Sequence, residues 1–154
     1  MGCAGAWRRT ALVDPEVVRR RLREIDRRVA ALRAIAAGER DGFLVDLDLQ
    51  ATTERHLQVA IQAAIDVALH VLADETAETP SDYGSAFVLL AGAGVLPEQL
   101  SERLRAAAGL RNVLVHAYVE VDPELVWAHL DDLDDLSAFA RQILLHVEGS
   151  GSAD

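Results

Sequence analysis

Four residues in the stretch RNVLVHAY, residues 111–118, carry groups suited to acid–base and phosphate chemistry: Arg111, Asn112, His116 and Tyr118. A histidine side chain titrates near pH ~6.5, so it gives or takes a proton close to neutrality. An arginine stays charged and presents a planar fork of N–H donors that matches phosphate oxygens. An asparagine donates a hydrogen bond or holds an imidazole in place. Cutting RNA without a metal needs a base for the ribose 2′-OH, a cation for the phosphorane-like transition state and an acid for the departing 5′-oxygen. The residue types fit those three tasks.

Their spacing fits less well. Val113, Leu114 and Val115 read as buried helix, and at 3.6 residues per turn Asn112 and His116 share one face while Arg111 and Tyr118 share another stripe. Arg111 and His116 diverge by about 140° on such a helix. One copy is therefore an incomplete site. A bend at Gly109 would bring the groups together, and so would a two-fold dimer that sets a second motif opposite the first. The same spacing also suits a capping or packing histidine and a tyrosine at the edge of the core.

The elements that must position these residues are helices. Asp14 followed by Pro15 is an N-cap with proline at the first helical position, and Gly38 is a stop. Between them Val18, Leu22, Ile25, Val29, Leu32 and Ala36 form an apolar seam. Arg20, Arg23 and Arg27 lie opposite, which reads as a solvated face with partners such as Glu24 for Arg28 rather than an RNA-binding stripe. After the connector GERDGFLVDLD, a second helix is expected over residues 48–73. Its core face is Leu57, Ile61, Ala64, Ala68 and Leu72, and its polar face is Arg55, Gln62, Asp66 and His70. Asp66 and His70 are one turn apart and could hydrogen-bond, but two such groups are too few for a metal site.

A loop, DETAETPSD, precedes a short third helix over 82–91 that Gly92 and Gly94 end. Pro97 opens a fourth, which Gly109 is expected to interrupt before it resumes through Tyr118. Asp122 and Pro123 open a fifth, with Val126, Leu130, Leu133, Ala140, Ile143 and Val147 as its seam. The expected fold class is all-α: an up-and-down bundle of about five helices spanning 14–148, a flexible extension at 1–13 and a disordered GSGSAD tail at 149–154.

Composition agrees with one helical domain, since 51% of residues are hydrophobic and only 5% aromatic. No uninterrupted apolar run approaches the ~18 residues of a membrane span. The first residues, MGCAGAWRRTALV, lack an apolar signal core, and Ala6 spoils a myristoylation motif. The single Cys3 forms no internal disulfide, which suits a reducing cytoplasm. The net charge of −10 conceals ten arginines and five acids in residues 1–40, against five arginines and twenty acids beyond. Such a chain does not coat nucleic acid through bulk charge, so RNA would be met at a local site.

RNVLVHAY resembles the R-x4-6-H-x-Y signature of HEPN-domain ribonuclease toxins, in the HepT-like branch of bacterial and archaeal toxin–antitoxin pairs. The segments ERHLQVAIQAAIDVALHVL, PSDYGSAFVLLAGAGVLPEQL, AGLRN and VDPELVWAHL fall where similar segments fall in that family, so the resemblance covers about residues 14–147. It implies a homodimeric helical bundle with a metal-independent endoribonuclease cleft between subunits, acting on RNA rather than DNA, with no cofactor and no membrane association. It matches Arg111 and His116 to the catalytic pair, Asn112 to the polar residue after the arginine, and Tyr118 to the acceptor of AMP. The partner implied is a minimal nucleotidyltransferase antitoxin that transfers AMP from ATP, adding a bulky anion that would block RNA and repel its phosphates. The alternative expectation is a non-catalytic HEPN module that serves such a nucleotidyltransferase as adaptor or substrate.

Overall fold

The Asp14 carboxylate accepts a hydrogen bond from the Glu16 backbone N–H at 2.9 Å and Pro15 follows it, so the first helix, α1 (Pro15–Ala36), starts where local chemistry dictates. The computed structural model describes residues 13–116 and 120–152. Over that range it contains α1, α2 (Arg40–Val45), α3 (Leu47–Glu75), α4 (Tyr83–Gly92), α5 (Glu98–His116), α6 (Pro123–His129), a 3-10 turn (Leu130–Asp132) and α7 (Leu133–Gly151), with no strand among the described residues. The fold class is all-α, and the five expected helices are all present.

The central element is α3, which touches every other α-helix. It is long and apolar enough to cross a membrane by length and composition, but 56% of its most apolar window is buried inside the bundle. That explains its apolarity as the cost of lining a core on most sides. The seams expected from periodicity are buried at Val18, Leu22, Ile25, Val29 and Leu32 on α1, with Ala36 at its end half-buried, and at Leu57, Ile61, Ala64, Ala68 and Leu72 on α3. Val126, Leu130, Leu133, Ala140, Ile143 and Val147 are buried in the C-terminal part. Phe87 of α4 meets Phe139 of α7 edge-on with centroids 5.6 Å apart, closing the far side of the core.

The structure corrects four expectations. The connector after α1 holds a helix, α2, because Phe43 is buried and packs on the Trp127 ring of α6 at 5.1 Å. Its last turn is completed by Gln50, whose amide donates to the Phe43 carbonyl at 2.9 Å. Second, α5 runs unbroken through Gly109, since one glycine lowers helix propensity by only about 1 kcal/mol and packing of Leu104, Ala108 and Leu110 against the core outweighs it. Third, the helix begun at Pro123 tightens into a 3-10 turn at Leu130–Asp132 and restarts, with Asp134 and Asp135 in the new first turn where the helix dipole favours acids. Fourth, α7 continues through Gly149 and Gly151, held by Ser150 and Ser152 hydroxyls donating to the carbonyls of His146 and Glu148, so no tail begins at 149.

Two glycines set how α4 meets α5. Gly94 has φ of +80° and lets the chain reverse after α4, with the Val95 N–H on the Leu90 carbonyl and the Gly94 N–H on the Ala91 carbonyl, the double bond of a Schellman end. A Cβ on Gly84 would lie 2.9 Å from Cγ of Arg105, so glycine there permits the close approach of the two helices. Tyr83 is thereby carried to the side of α5.

Candidate functional site

Arg111 sits on the side of α5 that faces α3 and α4, and its guanidinium is engaged on three sides. Nε donates to Oε1 of Gln62 on α3 at 2.7 Å, Nη1 donates to Oδ1 of Asn112 at 3.1 Å, and Cζ lies 5.2 Å from the ring centroid of Tyr83 on α4. The fork has five N–H donors. These contacts occupy two, and the remainder have no hydrogen-bond partner among the described residues.

His116 is the last residue of α5 and is exposed, with no hydrogen-bond partner among the described residues. Because α5 is continuous between Arg111 and His116, the divergence of their Cβ directions stands. Asn112 reduces its effect. Its oxygen draws the guanidinium toward the face that Asn112 shares with His116, one turn further on. Within one chain, arginine and asparagine are thus brought together, while the imidazole projects alone at the helix end. Tyr118 lies outside the described residues.

Two residues at the site escape sequence reasoning. Gln62 reads from sequence as part of a solvated polar face with Asp66, and only the i to i+4 spacing hints at the bond its Nε2 donates to Asp66 Oδ1 at 2.9 Å. Tyr83 carries no local signal at all, since its contact depends on how α4 packs on α5. The Asp66–His70 hydrogen bond that their spacing allows does not form. Asp66 instead takes the Gln62 amide and Arg21 Nη1 at 3.1 Å, and Nε2 of His70 accepts from the Asp14 backbone N–H at 3.1 Å. An acceptor nitrogen requires the neutral ring with its proton on Nδ1.

The arginines on α1 behave as a solvated face. Arg23 pairs with Glu16 at 3.4 Å, Arg27 with Glu24 at 3.3 Å and Arg28 with Glu24 at 2.9 Å. The Arg28 hydrogen bond holds the Glu24 carboxyl below its usual range. Arg28 Nη1 also lies 3.1 Å from Nδ1 of His56, and since arginine only donates, that ring nitrogen is unprotonated. Burial, and then repulsion by Arg28, push the His56 imidazole below its ordinary value.

Two openings flank the motif. A groove of about 200 Å³ between α1 and α3 is lined by Arg21, Arg55, Gln58, Gln62 and Asp66, so it is polar and adjoins the residue that holds Arg111. A second, of about 400 Å³, lies between the start of α3 and the end of α5, lined by Leu44, Leu47, Glu54, Leu114 and Val121. Leu47 is 75% exposed and Val113 50%, so apolar side chains face solvent along the motif's own end of the bundle.

The chain is similar to proteins of known structure and assignment. It is 31% identical over 132 residues to the tRNA nuclease HepT of Aphanizomenon flos-aquae, covering 85% of this chain and 90% of the relative. It is 32% identical over 101 residues to the mRNA nuclease HepT of Shewanella oneidensis, covering 63% and 76%. Among solved structures, the tri-AMPylated HEPN toxin of Shewanella oneidensis in complex with its MNT antitoxin superposes with a TM-score of 0.75 at 27% identity, over 82% of this chain and 96% of that one. A cytosolic protein of Bacillus subtilis, YutE, shares the fold with a TM-score of 0.77 at 16% identity, over 90% and 94%. The model of the ribonuclease HepT-like family matches residues 20–143, a span that holds the α1 seam from Leu22 onward, the α3 seam, Gln62 and the whole of RNVLVHAY. The chain belongs to the HepT-like ribonuclease family.

Proposed function

We propose that this chain is the toxin of a cytoplasmic toxin–antitoxin pair: a metal-independent endoribonuclease that works as a homodimer and is silenced when a cognate nucleotidyltransferase transfers AMP to Tyr118. The observation that carries the reading is the state of Arg111. Its guanidinium is held by Gln62, Asn112 and Tyr83 while donors remain for a ligand, beside an exposed histidine. A guanidinium set in place before substrate arrives loses little freedom when it binds a phosphate, which is how a cation stabilises a phosphoryl transition state.

His116 takes the proton from the ribose 2′-OH, the 2′-oxygen attacks the adjacent phosphorus, and the 5′-oxygen leaves with a proton supplied by an acid. The products are a 2′,3′-cyclic phosphate and a 5′-hydroxyl. Arg111 stabilises the charge on the non-bridging oxygens, and Asn112 holds the guanidinium toward His116. A second copy supplies the other acid–base group, since one imidazole cannot hold and release a proton on both sides of the phosphorus at once. The exposed Leu47 and Val113 beside the motif favour that arrangement, because burying them against a partner removes apolar surface from water. The relatives' names support the chemistry and the partner: two are nucleases of tRNA and mRNA, and one is an AMP-bearing toxin bound to its antitoxin.

The test is cleavage of host total RNA by the purified chain in EDTA, with mapped ends. Arg111→Ala and His116→Ala are expected to lose cleavage while keeping the helical signal. Cleavage undiminished in both variants removes Arg111 and His116 from the catalytic assignment, and no cleavage by the parent chain assigns it to the non-catalytic adaptor reading instead.

A further inference from the structure

We propose that Gln62 is the positioning residue for Arg111 and that Asp66 and Arg21 hold Gln62 in turn, so that a relay across three helices sets the cation of the site. The inference rests on the reading of Arg111 as that cation. Arg111 Nε donates to Gln62 Oε1 at 2.7 Å, Gln62 Nε2 donates to Asp66 Oδ1 at 2.9 Å, and Arg21 Nη1 donates to Asp66 Oδ2 at 3.1 Å. The relay thus runs from α5 through α3 to α1.

Its polarity is fixed by the chemistry of its ends. A guanidinium cannot accept, so the amide oxygen must face Arg111, and a carboxylate cannot donate, so the amide nitrogen must face Asp66. A flipped Gln62 would oppose donor to donor and acceptor to acceptor. The guanidinium carbon lies over the Tyr83 ring while Gln62 accepts from its Nε, so the group is restrained by two contacts from two other helices. Glutamine also suits the position better than glutamate. A carboxylate at 62 would have no hydrogen to donate to Asp66 and would stand one turn from it, a repulsive i to i+4 pair. The amide accepts from Arg111 and donates to Asp66 at the same time.

The experiment compares the parent with Arg111→Ala, Gln62→Met, Gln62→Glu and the double variant Gln62→Glu/Asp66→Asn, all full-length. Single-turnover rates and half-saturating protein concentrations are measured on host total RNA at one mapped cut. Methionine has the length of glutamine but accepts no comparable hydrogen bond. Gln62→Met is expected to slow cleavage roughly 10- to 100-fold through loss of orientation, with half-saturation nearly unchanged. Gln62→Glu alone stays slow. In the double variant one carboxylate oxygen accepts from Arg111 and the other from the asparagine amide, whose own oxygen still accepts from Arg21, so the rate returns to within about threefold of the parent. A role confined to folding would not be restored by that exchange of donor and acceptor. The proposal is overturned if Gln62→Met cuts at the parental rate while Arg111→Ala is inactive, or if the double variant is no faster than Gln62→Met. Cleavage by Arg111→Ala at the parental rate instead removes Arg111 from the site, and this proposal with it.

Discussion

Arg111→Lys separates the charge of the site from its geometry. The guanidinium spends Nε on Gln62 at 2.7 Å and one Nη1 hydrogen on Asn112 at 3.1 Å, and rests over Tyr83 at 5.2 Å. A lysine ammonium places its three donors at one point. It can reach Gln62 or Asn112, but it cannot hold both and still offer two parallel donors to a phosphate. Losing a preset transition-state donor lowers a rate by roughly 10²- to 10³-fold, which is about 3–4 kcal/mol of barrier. The cost to stability is smaller. A hydrogen bond to a charged group contributes about 1.5–3 kcal/mol, with the low end fitting a half-buried glutamine, and lysine recovers part of it. A cation–π contact near the surface adds about 0.5–1 kcal/mol. A net loss of about 1–2 kcal/mol should lower the melting temperature by roughly 2–8 °C in a chain of this size. The assay is single-turnover RNA cleavage with thermal melting of the same preparation. The reasoning is refuted if the lysine variant cuts within about threefold of the parent, or if melting shows that the whole loss of rate is unfolding.

The remaining predictions concern the partner surfaces and pH. Incubation with the cognate nucleotidyltransferase, ATP and Mg²⁺ should add AMP to the parent and none to Tyr118→Phe, so intact-mass adducts persisting on the phenylalanine variant would move the acceptor elsewhere. Leu47→Asp with Val113→Glu places charge on two exposed apolar side chains beside the motif and should shift the proposed dimer toward monomer in light scattering. An unchanged mass would take the dimer face away from that end of the bundle. His56 titrates below its ordinary 6.5 in the folded chain because burial and Arg28 disfavour the cation. The unfolded chain therefore binds that proton first, and stability falls as pH drops below about 6.5 until the folded chain protonates as well. Urea unfolding of His56→Gln should show a shallower loss than the parent from pH ~7 to ~5, and parallel curves would exclude His56 as the source.

The sequence alone determined the longer helices, because caps and periodicity are local. Asp14–Pro15, Asp82 and Asp122–Pro123 each place an oxygen where the first free N–H groups of a helix point, and the 3.6-residue seams on α1 and α3 are the faces that are buried. The motif itself was legible for the same reason: Arg111, Asn112 and His116 are close in the chain, and their types name the chemistry. What only tertiary packing decided is how those groups are held. No local pattern marks α2, which exists because Phe43 finds Trp127, a ring 84 residues away in the chain. Gly109 looked like a break, yet the core contacts of Leu104, Ala108 and Leu110 carry α5 across it. Gln62 and Tyr83 are separated from Arg111 by 49 and 28 residues, and they meet it only once α3, α4 and α5 have packed. Side-chain hydrogen bonds of that range depend on helix rotation and spacing to within an ångström, which burial of three apolar seams sets jointly and no single stretch of sequence encodes.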